Sequence, residues 1–196
     1  MLAMACPHTH LTLALFFALS LMAATSQASD IGQGYQAYQS GDYQQAYAIW
    51  KPLAEQGDAE AQFYLGLLYR SGEGVEKNDR TALEWFTASA KQGYLDAQYN
   101  TGIMYMEGRG VAVSKRDAFK WWQLAAERGH APSQYNLGAL YAYGIATGKD
   151  TATAIALWQQ SATQGHAEAR AVLHRVYSEG LFDQPVDTAK AEQWGE

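Results

Sequence analysis

Residues 59–94 read AEAQFYLGLLYRSGEGVEKNDRTALEWFTASAKQGY, and the chain then repeats the phrase with substitutions. LDAQYNTGIMYMEGRGVAVSKRDAFKWWQLAAERGH (95–130) and APSQYNLGALYAYGIATGKDTATAIALWQQSATQGH (131–166) are also 36 residues long, and nothing slips between them. Tyr69, Tyr105, Tyr141 and Tyr177 share one column; Gly66, Gly102 and Gly138 share a second. Ala54, Ala90, Ala126 and Ala162 form a third, and Gly57, Gly93, Gly129 and Gly165 a fourth. A fixed period of this size marks a stacked array, in which a unit too small to bury its own apolar face buries it against the next.

The pattern A-x-x-x-L-G-x-x-Y-x-x-G-x-G-V, followed by A-x-x-W-x-x-x-x-A-x-x-G, resembles the Sel-1-like repeat, a cousin of the tetratricopeptide repeat with two antiparallel helices per unit. The match covers most of the chain after about Gly34. The resemblance implies an all-α, right-handed α-solenoid of about five helix-turn-helix repeats that binds other proteins. Its units are a tetratricopeptide-like cap over 29–58, repeats over 59–94, 95–130 and 131–166, and a partial repeat over 167–196.

Residues 1–28 contain no Lys, Arg, Asp or Glu, and Leu11 to Ala24 is apolar or small apart from Thr12 and Ser20. As a helix this run rises only about 21 Å, short of the roughly 30 Å hydrocarbon core of a bilayer. It reads as a signal peptide with small residues at Ser26 and Ala28 before a cut at Ser29, although its start lacks the usual positive charge. An uncleaved anchor is the alternative. The single cysteine, Cys6, lies before the apolar run, so the mature chain has none and disulfides play no part. An extracytoplasmic chain without cysteine reads as periplasmic or secreted from a bacterium, with no membrane insertion after cleavage.

The net charge is −6, with acidic and basic residues interspersed and no basic stripe. This excludes nucleic acid as a natural partner, since phosphate neutralisation needs clustered Lys and Arg.

The first helices are predicted at about Ala59–Ser71, Leu95–Glu107, Ala131–Tyr143 and Ala167–Glu179, the second at about Asp79–Gln92, Lys115–Arg128 and Asp150–Gln164. Glycine inside a helix costs roughly 1 kcal/mol against alanine. Its recurrence at Gly66, Gly102 and Gly138 predicts close approach of the paired helix at the small Ala82, Ala118 and Ala154. Trp85, Trp121 and Leu157, followed by Phe86, Trp122 and Trp158, predict inter-repeat core, with an exposed aromatic strip as the alternative. Gly-x-Gly-Val loops follow the first helices at Gly72 and Gly108. At Gly144-Ile145-Ala146-Thr147 the second glycine is missing, so that loop is expected to take a different path.

Motifs for chemistry fail: there is no Ser-x-x-Lys, His-Glu-x-x-His, nucleophile elbow or P-loop. His130 and His166 share a column but have no third ligand beside them, so they are read as turn residues and no metal or cofactor is expected. Some cysteine-rich Sel-1-like proteins bind penicillin with weak β-lactamase activity. Lacking those cysteines and a serine motif, this chain is expected not to be an enzyme, and a cell-wall-binding or β-lactam-active envelope protein is the competing reading.

The resemblance further implies that the first helices line a concave groove, with Phe63, Tyr99 and Tyr135 facing it and Leu67, Ile103, Arg70, Met106, Tyr143 and Arg175 nearby. Aromatic rings suit peptide docking because they offer large contact area with little entropy loss. Asn100 and Asn136, one position on, are expected to hydrogen-bond a bound backbone. The bland alternative is that the tyrosines pack helix on helix. Glu60, Asp96, Glu107, Glu168 and Glu179 on the same helices favour a protein or peptide partner with basic groups. The expected role is an adaptor or regulator of an envelope process; the oligomeric state is left open.

Overall fold

Capping side chains begin most of the helices and a glycine ends most of the first helices, and this punctuation produces ten helices over the residues that the computed structural model describes, 30–195. They are α1 (30–39), α2 (Tyr43–Glu55), α3 (Ala59–Ser71), α4 (Asp79–Lys91), α5 (Leu95–Glu107), α6 (Lys115–Glu127), α7 (Ala131–Tyr143), α8 (Thr151–Thr163), α9 (Ala167–Glu179) and α10 (Thr188–Trp194). The signal-peptide reading of residues 1–28 lies outside the described residues. No strand occurs among the described residues, and consecutive helices pack on one another to form an α-solenoid of five hairpins.

Side chains of Asp58, Asn78, Ser114, Asp150 and Asp187 accept the backbone N–H three residues on, the usual N-cap bond. Gly72, Gly108, Gly144 and Gly180 close α3, α5, α7 and α9 in the left-handed region, with φ of 81°, 71°, 65° and 71°. Such strict stops explain why the helix bounds could be placed within a residue or two from the sequence.

The loop has one path after α3, α5 and α7, which corrects the expectation for Gly144–Thr147, while the loop after α9 is one residue longer and holds Asp183 as well at positive φ (63°). Gly74 and Gly110 have φ of 70° and 71°, and Ala146 and Phe182 take the same region at 63° and 53°. Each loop closes with one bond to the column tyrosine: Asn78 N to Tyr69 O, Ser114 N to Tyr105 O, Asp150 N to Tyr141 O and Asp187 N to Tyr177 O, all 2.8–2.9 Å. Closure and the preceding αL cap dictate the path, and Ala146 absorbs the strain of about 1–2 kcal/mol that an L-residue meets there.

The glycine column works differently from the expectation too. A ring of the second helix, rather than an alanine, fills the space. A Cβ on Gly66 would lie 2.5 Å from the Phe86 ring, one on Gly102 2.3 Å from Trp122 Nε1, and one on Gly138 2.7 Å from Trp158 Nε1. The notch lets the indoles reach the helix backbone: Trp122 Nε1 donates to Tyr99 O (3.1 Å) and Trp158 Nε1 to Tyr135 O (3.0 Å). Phe86, Trp122 and Trp158 are thus the core within each hairpin. Trp85, Trp121 and Leu157 are half-buried and pack back on the core of the preceding repeat.

The last hairpin inverts this arrangement. His174 stands in the glycine column and Gly195 in the ring column, and a Cβ on Gly195 would lie 3.3 Å from His174 Nδ1. The imidazole on α9 therefore occupies space that a ring from the second helix fills elsewhere, and its Nδ1 lies 2.9 Å from Ala191 O.

Candidate functional site

The first-helix face is built by rings that stack in pairs across the repeats. The residue preceding each first helix, Tyr94, His130 or His166, lays its ring on the aromatic of the helix before. Tyr94 meets Phe63 at 5.1 Å, His130 meets Tyr99 at 5.4 Å and His166 meets Tyr135 at 5.2 Å between centroids. Both histidines are N-caps: His130 Nδ1 accepts from Ser133 N and His166 Nδ1 from Ala169 N, each at 3.3 Å. With Nδ1 accepting, Nε2 of His130 carries the proton and donates to Asp96 Oδ1 at 3.1 Å. Among the described residues no three His, Cys, Asp or Glu side chains converge on a metal position.

The residues expected to face a groove are unequally placed. Tyr99 and Tyr135 are half-buried, with Ile103 and Met106 half-buried on α5. Phe63 is only 9% exposed and belongs to the core, packed on Phe86, Tyr64 and Tyr94. Asn100 is buried as well: its Oδ1 accepts from Arg70 Nη1, and its Nδ2 donates to Asp96 O at 2.7 Å. Both polar ends of that amide serve the fold, leaving none for a ligand backbone. Asn136 is half-buried and hydrogen-bonds the Tyr99 phenol. Burial is the main reason that phenol is held above its ordinary pKa, and the bond from Asn136 opposes the shift.

Arg70 is half-buried over the Phe86 ring, 5.6 Å from its centroid, and burial followed by the charge of Arg109 pulls its guanidinium below the usual value. Tyr143 stands at the other end of α7 from Tyr135, 67% exposed, with its ring edge-on to Phe182 at 5.5 Å. The structure therefore joins Tyr99 with Asn136, and Arg70 with Asn100, and leaves Tyr143 apart.

A second polar column escaped the reading of the sequence. Gln62, Gln98 and Gln134 are 4–7% exposed, and their Nε2 groups donate to Ala54 O, Ala90 O and Ala126 O at 3.1–3.3 Å. Each adds a second bond to a terminal carbonyl of the preceding second helix that already accepts from the turn glycine, Gly57, Gly93 or Gly129. The 36-residue recurrence of a glutamine among apolar neighbours was the available signal. Ser133 Oγ lies 2.8 Å from His130 Nδ1 but is fully buried, so what the face presents to solvent among the described residues is hydrogen-bonding and stacking groups.

The Sel1 repeat family model matches residues 28–58, 59–94, 95–130, 131–166 and 171–196. The chain belongs to the Sel1 repeat family. Sel1 repeats are protein-interaction modules, and their helical solenoids are typically non-catalytic. The solved structures similar to this Sel1 repeat chain include a Sel1 repeat protein from Oxalobacter formigenes, with a TM-score of 0.77 and 32% identity over 84% of this chain. Another is c5321, a protective antigen of uropathogenic Escherichia coli with an SLR fold, at a TM-score of 0.80 and 34% identity over 90% of this chain. The chain spans 65% and 39% of the lengths of those two proteins. A Sel1 repeat protein from Klebsiella pneumoniae shares the fold at a TM-score of 0.57 and 20% identity, over 88% of this chain and 85% of that one. No curated protein matches the sequence. No helix among the described residues is long and apolar enough to cross a membrane.

Proposed function

We propose that this Sel1 repeat protein is a non-catalytic adaptor or regulator of an envelope process, exported to the periplasm or beyond, that holds a partner protein on its first-helix face. The observation that carries the reading is the pair of half-buried rings, Tyr99 and Tyr135, each braced by a capping histidine. A ring fixed in place loses little freedom on binding, which favours affinity. Asp96 and Glu168 beside the rings, with Glu107 farther along α5, favour a partner segment carrying Lys or Arg.

The test is a crosslinking pull-down from intact envelopes with a C-terminally tagged chain, read by mass spectrometry. One dominant protein is expected, and Tyr99→Ala with Tyr135→Ala should release it while the melting temperature shows the fold retained. Binding that survives the double change in a folded protein refutes the face. Retention on purified sacculi or turnover of a β-lactam, without a protein partner, would favour the cell-wall alternative. Mass spectrometry of the periplasmic fraction should find the mature chain beginning at Ser29.

A further inference from the structure

Trp85, Trp121 and Leu157 share one column of the second helices, and the third is much the smallest. Trp85 packs on the cluster that holds Ala54 and Leu65, and Trp121 on the cluster that holds Ala90 and Met104. Leu157 packs on the corresponding cluster, with Ala126 and Leu140, but brings an isobutyl group where the others bring an indole. Beside it a cavity of about 420 Å³ opens between α6, α7 and α8, with Ala126, Leu137, Tyr141 and Leu157 as its apolar lining and Gln134 behind them. One repeat earlier the cavity, of about 360 Å³, is lined by Leu83, Glu84, Thr87, Ala88, Lys91 and Tyr105, and its lining includes neither Ala90 nor Gln98, the counterparts of Ala126 and Gln134. Exposure agrees: Ala90 and Thr101 are 1% and 0% exposed, Ala126 and Leu137 5% and 4%.

Two features say what this groove takes. The first is shape, which the other repeats define: the chain itself lays an indole against the two matching clusters, and the groove at Leu157 keeps room that those indoles use. The second is charge. Of the side chains lining the groove only Glu127 is ionised at neutral pH. It accepts a hydrogen bond from the neutral Gln123 amide at 3.0 Å and makes no ion pair with any described residue. The remaining amides are engaged with the fold, Gln134 Nε2 donating both to Ala126 O and to Gln160 Oε1. An apolar slot with one unpaired carboxylate at its rim is complementary to a ring with a cation beside it.

We propose that the groove between α6 and α8 takes a tryptophan side chain of a partner protein, flanked in the partner's sequence by Lys or Arg that is set against Glu127. The guest ring lies on Leu137, Tyr141 and Leu157 and supplies from outside the apolar cover that Trp85 and Trp121 supply from within. A buried aromatic anchor of this kind carries a large share of the energy of an interface. The groove belongs to the second helices and is a different surface from the tyrosine face, so it stands or falls independently of that reading.

The test uses the purified protein with labelled leucine methyl groups, titrated at low salt with the acetylated and amidated tripeptide Lys-Trp-Lys and followed by NMR. The ring current of a docked indole should shift the methyls of Leu137 and Leu157 saturably, and Lys-Ala-Lys should not. Glu-Trp-Glu should bind about threefold more weakly, the size of an exposed ion pair, and Glu127→Gln should remove that preference. Leu157→Trp fills the groove with the chain's own indole, and Gln160→Trp closes its mouth from an exposed position. Each should abolish the peptide-induced shift at Leu137 while melting shows the fold retained, and should one of them fail to fold the other decides. Tyr99→Ala with Tyr135→Ala should leave the shifts in place, so failure here and failure of the tyrosine face are separately visible. No saturable shift with Lys-Trp-Lys, equal binding of Glu-Trp-Glu, or a shift that survives in a folded Leu157→Trp or Gln160→Trp variant would overturn the proposal.

Discussion

Replacing Gly102 by alanine sets two effects of opposite sign against each other. In a helix interior the change gains about 1 kcal/mol from the lower entropy of the unfolded chain. The new Cβ, however, would lie 2.3 Å from Trp122 Nε1 and 2.6 Å from its Cδ1. Carbon atoms settle at about 3.5–4.0 Å, so the indole must withdraw by roughly 1 Å or more. Withdrawal breaks its 3.1 Å bond to Tyr99 O and strands a buried N–H, at about 1–3 kcal/mol. Overpacking adds about 1–3 kcal/mol. The loss outweighs the gain, leaving a net destabilisation of about 3 kcal/mol, which is about 6–12 °C in melting temperature for a chain of this size. Thermal melting followed by circular dichroism measures it, with Gly32→Ala as the control. Gly32 is also helical, but no atom lies within 4 Å of its would-be Cβ, so that variant should melt higher than the parent. Shrinking the ring should relieve the clash, so Gly102→Ala and Trp122→Leu together should cost less than the two added, with a coupling of about 1 kcal/mol or more. A Gly102→Ala variant that melts at or above the parent refutes the reasoning.

Four further substitutions test other parts of the frame. Ala146→Gly relieves the strained φ of 63° and should raise stability by about 1 kcal/mol in urea unfolding, whereas Phe182→Gly should lower it, because that ring packs on Trp158 and Tyr143. Gln98 Oε1 is buried without a hydrogen-bond partner among the described residues: Arg128 bonds Gly93 O, while Gln92 and Gln164 in the same column bond the matching oxygens of Gln62 and Gln134 at 2.9 and 2.8 Å. Arg128→Gln should supply the missing donor and stabilise by about 1 kcal/mol, seen as a higher urea midpoint. Burial, with the charges of Glu60, Asp96 and Asp58, pushes the Tyr94 phenol up to about 12, and burial pushes Tyr64 higher still. The folded chain keeps protons that the unfolded chain releases near pH 10, so this stability is complete below about pH 10 and is lost on rising towards pH 12. The urea midpoint should fall over that range, and less steeply in Tyr94→Phe.

Much of the frame was legible before any coordinates. The caps Asn78, Ser114 and Asp150 and the stops Gly72, Gly108 and Gly144 act over three or four residues, so their effect can be read locally. The site was less legible. Phe63, Tyr99 and Tyr135 are one column in the sequence, yet Phe63 is core and the tyrosines are only half-buried. Asn100 and Asn136 likewise look alike, but Arg70 engages only the first. These differences depend on which residue the neighbouring repeat brings up, at a separation of about one period. The capping roles of His130 and His166 were missed because imidazole is not among the usual caps and its ring partner lies on the previous helix.

From the sequence alone came the period, the two-helix unit, the helix bounds and the family, because repeated local signals and nearest-neighbour burial constrain every copy alike. Only the tertiary structure decided that rings rather than alanines fill the glycine notches, that Ala146 follows its glycine counterparts, and that His174 and Gly195 exchange roles. Each of these turns on where a side chain points once two helices have been pressed together, and close packing selects among rotamers and backbone strains that the unstacked chain holds at similar energy.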